Sequence, residues 1–235
     1  LPRYPHPPYP DECLRRYLRV VPMKEHSFLT VTWAIAPIRD QYLSKPFRYV
    51  SHILGHEGEG SLLAYLKGLG WAEELLAGET HSHSDFATFV VTITLTEAGD
   101  AHVDKMVALV YSCLAMIRSV QSPRWIFDEI GGVSRMRLAF LDAVDPAQAT
   151  LHMAQALQQV PARHALVGSF LYDVWAPEQI SDLLAQLSPQ HANIVHVSPR
   201  HATTAMQREP WYGTAYSIAA ISEELMAECE SPPQQ

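Results

Sequence analysis

Two histidines four residues apart, His52 and His56, are the first residues in this chain whose types and spacing suggest chemistry. On a helix that spacing puts both imidazoles on one face, the geometry zinc-binding helices use. Glu57 follows, giving His-x-x-x-His-Glu. A zinc peptidase helix needs its glutamate inside His-Glu-x-x-His or His-x-x-Glu-His, where it can act on the metal-bound water. Neither motif occurs around any of the 12 histidines. Gly55 lies between the pair and is expected to bend or end the helix. A third ligand would have to come from His81, His83 or a distant carboxylate such as Glu129. Three readings of His52–Gly60 stay open: an incomplete metal site, a helix end capped by polar groups, and a glycine-rich loop that recognises a ligand.

The run Leu75-Leu76-Ala77-Gly78-Glu79 is the second candidate. Small residues in extended backbone leave N–H and C=O groups free, and such an edge can accept a peptide as an added strand. An edge covered by another part of the protein is the plainer alternative. His81 and His83 supply only two ligands, too few to close a metal site. The carboxylate pairs Glu73/Glu74 and Glu57/Glu59 read as solvated neighbours. There is no Gly-x-Ser-x-Gly elbow and no phosphate-cradling loop with a lysine. Cys13, Cys113 and Cys229 have no adjacent basic partner to activate a thiolate.

The elements that must hold these residues follow from periodicity and capping. Leu1–Pro10 carries five prolines and reads as an extended arm. Asp11 is expected to cap a short helix over Glu12–Arg19. Phe28–Ala36 alternates as a strand, Pro46 opens a helix through Leu54, and Ser61 caps a second helix to about Leu69. Trp71–Leu76 is expected to be a strand or extended edge, Gly78–Ser84 a turn, and Phe86–Leu95 a strand. Thr96 is expected to cap a long helix whose apolar face carries Val103, Met106, Val107, Val110, Tyr111, Leu114 and Ile117. Further helices are expected from Pro123 to Phe140 and over 146–160, 163–171 and 177–187. Ala192–Val197 is expected to be the last buried strand. Glu209-Pro-Trp-Tyr-Gly-Thr reads as a turn anchored on an apolar surface through Trp211 and Tyr212. The order predicts an α+β fold in which an antiparallel or mixed sheet packs against helices on one face. The expected organisation is a proline-rich arm over 1–20, one α/β domain over 21–220 and a polar tail over 221–235.

Composition narrows the function classes. With 48% hydrophobic and 18% charged residues, 235 residues can bury a full core. A net charge of −8 argues against nucleic acid as a partner, because phosphate binding needs clustered Lys and Arg. No apolar run approaches the roughly 20 residues of a membrane span, and no signal-peptide pattern opens the chain. The chain starts at Leu1 rather than Met, as a fragment or processed product would. Three widely spaced cysteines favour free thiols and a cytoplasmic location, organelles not excluded.

The segment His52-Ile-Leu-Gly-His-Glu-Gly-Glu-Gly-Ser-Leu-Leu-x-x-Leu-Lys-x-x-Gly-Trp71 resembles the second domain of insulysin-like, pitrilysin-family zinc metallopeptidases. So does Glu209-Pro-Trp-Tyr-Gly-Thr, and Val20-Val-Pro-Met-Lys24 is similar to the family's entry into that domain. The resemblance spans nearly the whole chain, with only helical character matched between about 140 and 205. It implies a processing-peptidase-like fold without metal ligands, inside a larger enzyme whose zinc helix, His-x-x-Glu-His, lies in the first domain. Four related domains there enclose a chamber for unfolded peptides, and this chain alone would be inactive. The implied partners are the other domains of the same polypeptide and peptide substrates. The implied exosite, which holds the N-terminal end of a peptide, comprises His52, Gly55 and Glu57 with Leu75, Leu76, Ala77, Gly78 and Glu79. Ala77 stands where the family often has glycine, and Glu79 replaces a neutral polar residue, a change that would bias the site toward positive charge. A stand-alone scaffold or interaction protein of the same fold is the alternative.

Overall fold

The structure is a computed structural model that describes residues 9–24 and 26–231. Leu1–Pro8 and the last four residues lie outside it, and with them most of the expected arm. Among the described residues, seven strands form one mixed sheet: β1 (Arg16–Val20), β2 (Phe28–Ile35), β3 (Ala72–Ser82), β4 (Ala87–Leu95), β5 (Ala192–Val197), β6 (Gln207–Arg208) and β7 (Ala215–Ala220). Their spatial order is β3-β4-β2-β5-β1-β7-β6, so β3 and β6 are the edges. β1 and β5 run parallel, and the other neighbours run antiparallel.

Burial shows why one face of this sheet is helix-covered. Along β2 it alternates strictly, with Leu29, Val31, Trp33 and Ile35 buried and their neighbours half-exposed. Phe89, Val91 and Ile93 of β4 continue the same apolar face. The helices α1 (Pro46–Leu54), α2 (Leu62–Gly68) and α3 (Val103–Ser119) close over it. They are joined by α6 (Pro177–Gln186) and α7 (Glu223–Glu230). Each fully buried Leu, Ile or Phe contributes about 1.5–3 kcal/mol. At the centre, Trp33 Nε1–H donates to Tyr111 Oη at 3.1 Å, the rings meeting edge to face. On the uncovered side, Thr30 and Thr92 pair hydroxyls across β2 and β4 at 3.2 Å.

Helices α4 (Arg124–Ala139) and α5 (Pro146–Leu157) lie further out. α5 buries no residue and is opened by Asp145, whose carboxylate accepts from the N–H groups of Ala147 and Gln148.

Most expected elements are present, and the differences have local causes. Glu12–Arg19 is a 3-10 turn (Asp11–Cys13) followed by β1, not a helix. Arg15 adopts φ +56°, which breaks helical continuation, and the slot between β5 and β7 pairs the backbone of Arg16–Val20 on both sides. Tertiary pairing overrides local propensity there.

The expected turn at Gly78–Ser84 is instead the second half of β3, and the chain reverses around Ser84–Phe86, where His83 N–H donates to Phe86 O. Thr96 caps a 3-10 turn at Gly99–Ala101, two residues ahead of α3. The 163–171 helix reduces to a 3-10 turn at Ala162–His164 followed by turns, and Lys45 Nζ donates to the carbonyls of Gly168 and Leu171 beyond it.

β5 is followed by a hairpin of β6 and β7. At its tip Trp211 and Tyr212 are 87% and 83% exposed, not anchored on an apolar surface. Glu209 holds the tip, its two carboxylate oxygens accepting the N–H groups of Trp211 and Tyr212, with Gly213 at φ +69°. The C-terminal segment read as a tail carries α7, which buries Leu225 and Cys229.

Candidate functional site

α1 begins at Pro46, whose fixed φ suits the first helical turn. It buries Phe47, Tyr49, Val50 and Leu54, which turns Ser51 and Gly55 toward β3. Gly55 is the C-cap of α1, and its φ of −87° does not call for glycine; the space beside it does. A Cβ there would stand 3.0 Å from Ser51 O and 3.9 Å from Ala77 N. Ser51 Oγ donates to Phe47 O at 2.7 Å, and a Cβ on Gly78 would meet that hydroxyl at 3.4 Å. The two glycines thus set how closely the end of α1 approaches the edge strand. Ser61 then caps α2 by accepting Ala64 N–H at 3.1 Å.

β3 pairs with β4 on one side only. Its register is regular from Glu74 to Glu79 and is interrupted on both flanks, between Ala72 and Glu74 and between Glu79 and His81. At the second break Thr88 Oγ1 receives His81 N–H at 3.2 Å in place of a ladder carbonyl. Such bulges end pairing and re-aim an edge. Between them Leu75 is buried, Leu76 is 60% exposed, and Ala77, Gly78 and Glu79 are half-buried. Among the described residues, the backbone of Leu75–Glu79 makes no hydrogen bond to any element other than β4.

The structure therefore brings the two expected groups together: Gly55 of the helix end and Ala77–Gly78 of the strand are neighbours. His52, His56 and Glu57 are exposed on the same helix end and the loop after it. The His52 and His56 rings lie 6.3 Å apart between centroids, and His56 folds back so that a Cβ on Gly58 would be 2.6 Å from its Nε2. His81 and His83 stack at 6.2 Å on the β3–β4 turn. Among the described residues, no three His, Cys, Asp or Glu side chains converge to hold a metal ion, so these residues do not fit zinc.

Glu79 follows Leu75 and Ala77 in facing the helices. Its Oε2 is buried and, among the described residues, has no hydrogen-bond partner. Burial pushes its carboxyl above the usual range, with the Arg48 guanidinium pulling the other way. No salt bridge joins Glu79 and Arg48, whose guanidinium sits over the Phe47 ring, 5.6 Å from its centroid. Lys45, with a left-handed φ of +44°, has its ammonium 4.4 Å from the Tyr172 ring centroid. Burial lowers its pKa to about 8.

A second polar cluster carried no spacing signal. His196 of β5 donates from Nε2 to Asp100 Oδ1 at 2.7 Å, which leaves Nδ1 to accept from His201 Nε2 at 3.0 Å. Ser198 Oγ donates to Asp100 Oδ2 at 2.7 Å. All four residues are buried. Their donors and acceptors run in a chain rather than converging on one point, so the cluster ties the turn before α3 to the end of β5.

Two family models and several known proteins match this chain. The family model "Peptidase M16 inactive domain" matches residues 1–130, and "Middle or third domain of peptidase_M16" matches residues 139–235. The sheet crosses that division, taking β1–β4 from the first segment and β5–β7 from the second. Insulin-degrading enzyme of Drosophila melanogaster is 32% identical over 231 residues, which is 98% of this chain and 23% of the relative. "Insulin-degrading enzyme-like 1, peroxisomal" of Arabidopsis thaliana is 32% identical over 228 residues, 97% of this chain and 24% of the relative. The crystal structure of pitrilysin superposes with a TM-score of 0.90 at 21% identity, covering 98% of this chain and 24% of that one. The chain thus spans about a quarter of the length of the relatives it matches.

Proposed function

The chain belongs to the M16 peptidase family, and from that premise we propose that it is the non-catalytic, substrate-binding domain of an insulysin-like zinc metalloendopeptidase. Its role is to hold extended peptides at an exosite and to form part of the wall of a peptide-enclosing chamber. The zinc and the residues that activate water belong to another domain of the parent polypeptide. The proposed partners are those other domains and the peptide substrates. A cytoplasmic setting is proposed for the parent enzyme, although one plant relative carries "peroxisomal" in its name.

The observation that carries this reading is the free, bulge-bracketed edge Glu74–Glu79 beside the glycine end of α1. A peptide entering there as an extra strand would take main-chain hydrogen bonds from Leu75 to Glu79 without needing a particular sequence. Gly55 and Gly78 keep the approach narrow but unobstructed. Glu57, exposed on the loop beyond Gly55, would accept a peptide ammonium, with His52 exposed on the last turn of α1. Binding energy from a part of the substrate remote from the scissile bond favours long peptides over short ones.

The test is a pair of substitutions, Gly78→Val and Glu57→Ala, in the full-length parent enzyme. Each should raise KM for long peptides by about tenfold while leaving short-peptide hydrolysis unchanged. Equal loss on both lengths would mean the substitutions act on folding or on the chamber instead.

A further inference from the structure

Within the proposed exosite, one acceptor is left without a donor. Among the described residues, Glu79 Oε2 is buried and unpartnered, at the end of the regular stretch of an edge strand. A buried carboxylate oxygen without a donor is costly, and such groups are ordinarily paired. Arg48, the cation whose charge acts on Glu79, lies over the Phe47 ring and forms no salt bridge with it.

The direction of the side chain decides what could pair with it. Leu75, Ala77 and Glu79 leave β3 on the helix side of the sheet, by the two-residue alternation of a strand. The terminal ammonium of an added peptide strand would lie near the plane of the sheet. A long side chain leaving that strand on the helix side, opposite or diagonal to Glu79, would enter the space between β3 and α1. Cross-strand neighbours at that separation pair when their charges are opposite.

We propose that Glu79 forms a specificity subsite for a lysine or arginine side chain on the helix-facing side of the bound peptide strand. This rests on the exosite reading and adds a substrate class to it: extended peptides with a basic residue in register with Glu79. The bound cation pairs with the half-buried Glu79 carboxylate from its accessible side, so selectivity comes from the cost of leaving a part-buried charge unpaired as much as from attraction. Arg48 acts against the incoming charge, and its place over Phe47 keeps it from pairing with Glu79 directly.

The experiment measures binding of labelled long peptides to the full-length parent protein by fluorescence anisotropy, with cleavage suppressed by metal chelation. A scan moves one lysine along an otherwise neutral peptide, and each member is compared with its norleucine counterpart and its N-acetylated form. The expected result is one position at which lysine binds about tenfold tighter than norleucine. That preference should survive acetylation and vanish in Glu79→Gln, a nearly isosteric change. A preference that disappears on acetylation would assign the cation to the peptide terminus and overturn the proposal. So would a lysine preference unchanged in Glu79→Gln. Gly78→Val reports separately on strand addition: if every peptide binds that variant as it binds the wild type, the exosite reading fails, whatever Glu79 does.

Discussion

His196 Nε2 and Asp100 Oδ1 are 2.7 Å apart across 96 residues of sequence, and both side chains are buried. His201 extends the chain from the far ring nitrogen, and Tyr17, Arg19, Asp104 and Arg200 surround the group. Burial holds both imidazoles below the ordinary histidine value of 6.5, His201 at about 4.

A pH dependence follows from those depressed values. As pH falls below about 6.5 the unfolded chain takes up protons that the folded chain refuses, so stability is complete above that pH. It is then lost progressively down to about 4, where His201 titrates in the folded state. Each histidine contributes a slope of up to about 1.4 kcal/mol per pH unit. Urea unfolding between about pH 7.5 and pH 5 should show a falling midpoint, and His201→Gln should flatten it. An unchanged slope in that variant would remove His201 from the account.

The Trp33–Tyr111 hydrogen bond predicts a different response. Tyr111→Phe keeps the ring packing but leaves the buried indole N–H of Trp33 without an acceptor. The expected cost is ~1–3 kcal/mol by chemical denaturation, constant from pH 6 to pH 8. A neutral result would mean that water reaches the indole.

Two glycines should respond with opposite sign. A Cβ on Gly99 would lie 1.9 Å from the Trp71 carbonyl oxygen, a backbone atom that cannot move aside, so Gly99→Ala should destabilise by about 3 kcal/mol. Gly68 ends α2 with nothing within 4 Å of its Cβ position and no positive φ. Gly68→Ala should stabilise by about 0.5–1 kcal/mol, and thermal melts of the two variants moving in the same direction would contradict the local packing.

The hairpin tip offers a fourth check. Glu209→Ala removes the acceptor for both Trp211 and Tyr212 N–H groups. Amide exchange at the tip should accelerate about tenfold while the core amides are unaffected, because the tip buries little else. Protection unchanged at Trp211 and Tyr212 would show that Gly213 and the ladder alone hold the turn.

Periodicity and capping were enough to place α1, α2, β2, β4 and β5 close to their observed limits. Each is defined by short-range signals: Pro46 at a helix start, Ser61 at a cap, alternation in Phe28–Ile35. The absence of a zinc helix was also legible, since it depends on the order of His and Glu in a few residues. The glycine motif and the Leu75–Glu79 run were visible as candidates, but not their adjacency, which requires α1 to pack its Ser51–Gly55 face on an edge strand. β1 looked helical locally and became a strand because two neighbours supplied its backbone partners. The polar run after Gly78 stayed extended for the same reason, with β4 providing the ladder. The Asp100–His196–His201 chain and the unpartnered oxygen of Glu79 exist only in three dimensions. Local sequence encodes dihedral preference and caps, whereas pairing partners, burial and the loss of water around a charge are decided by segments far apart in the chain.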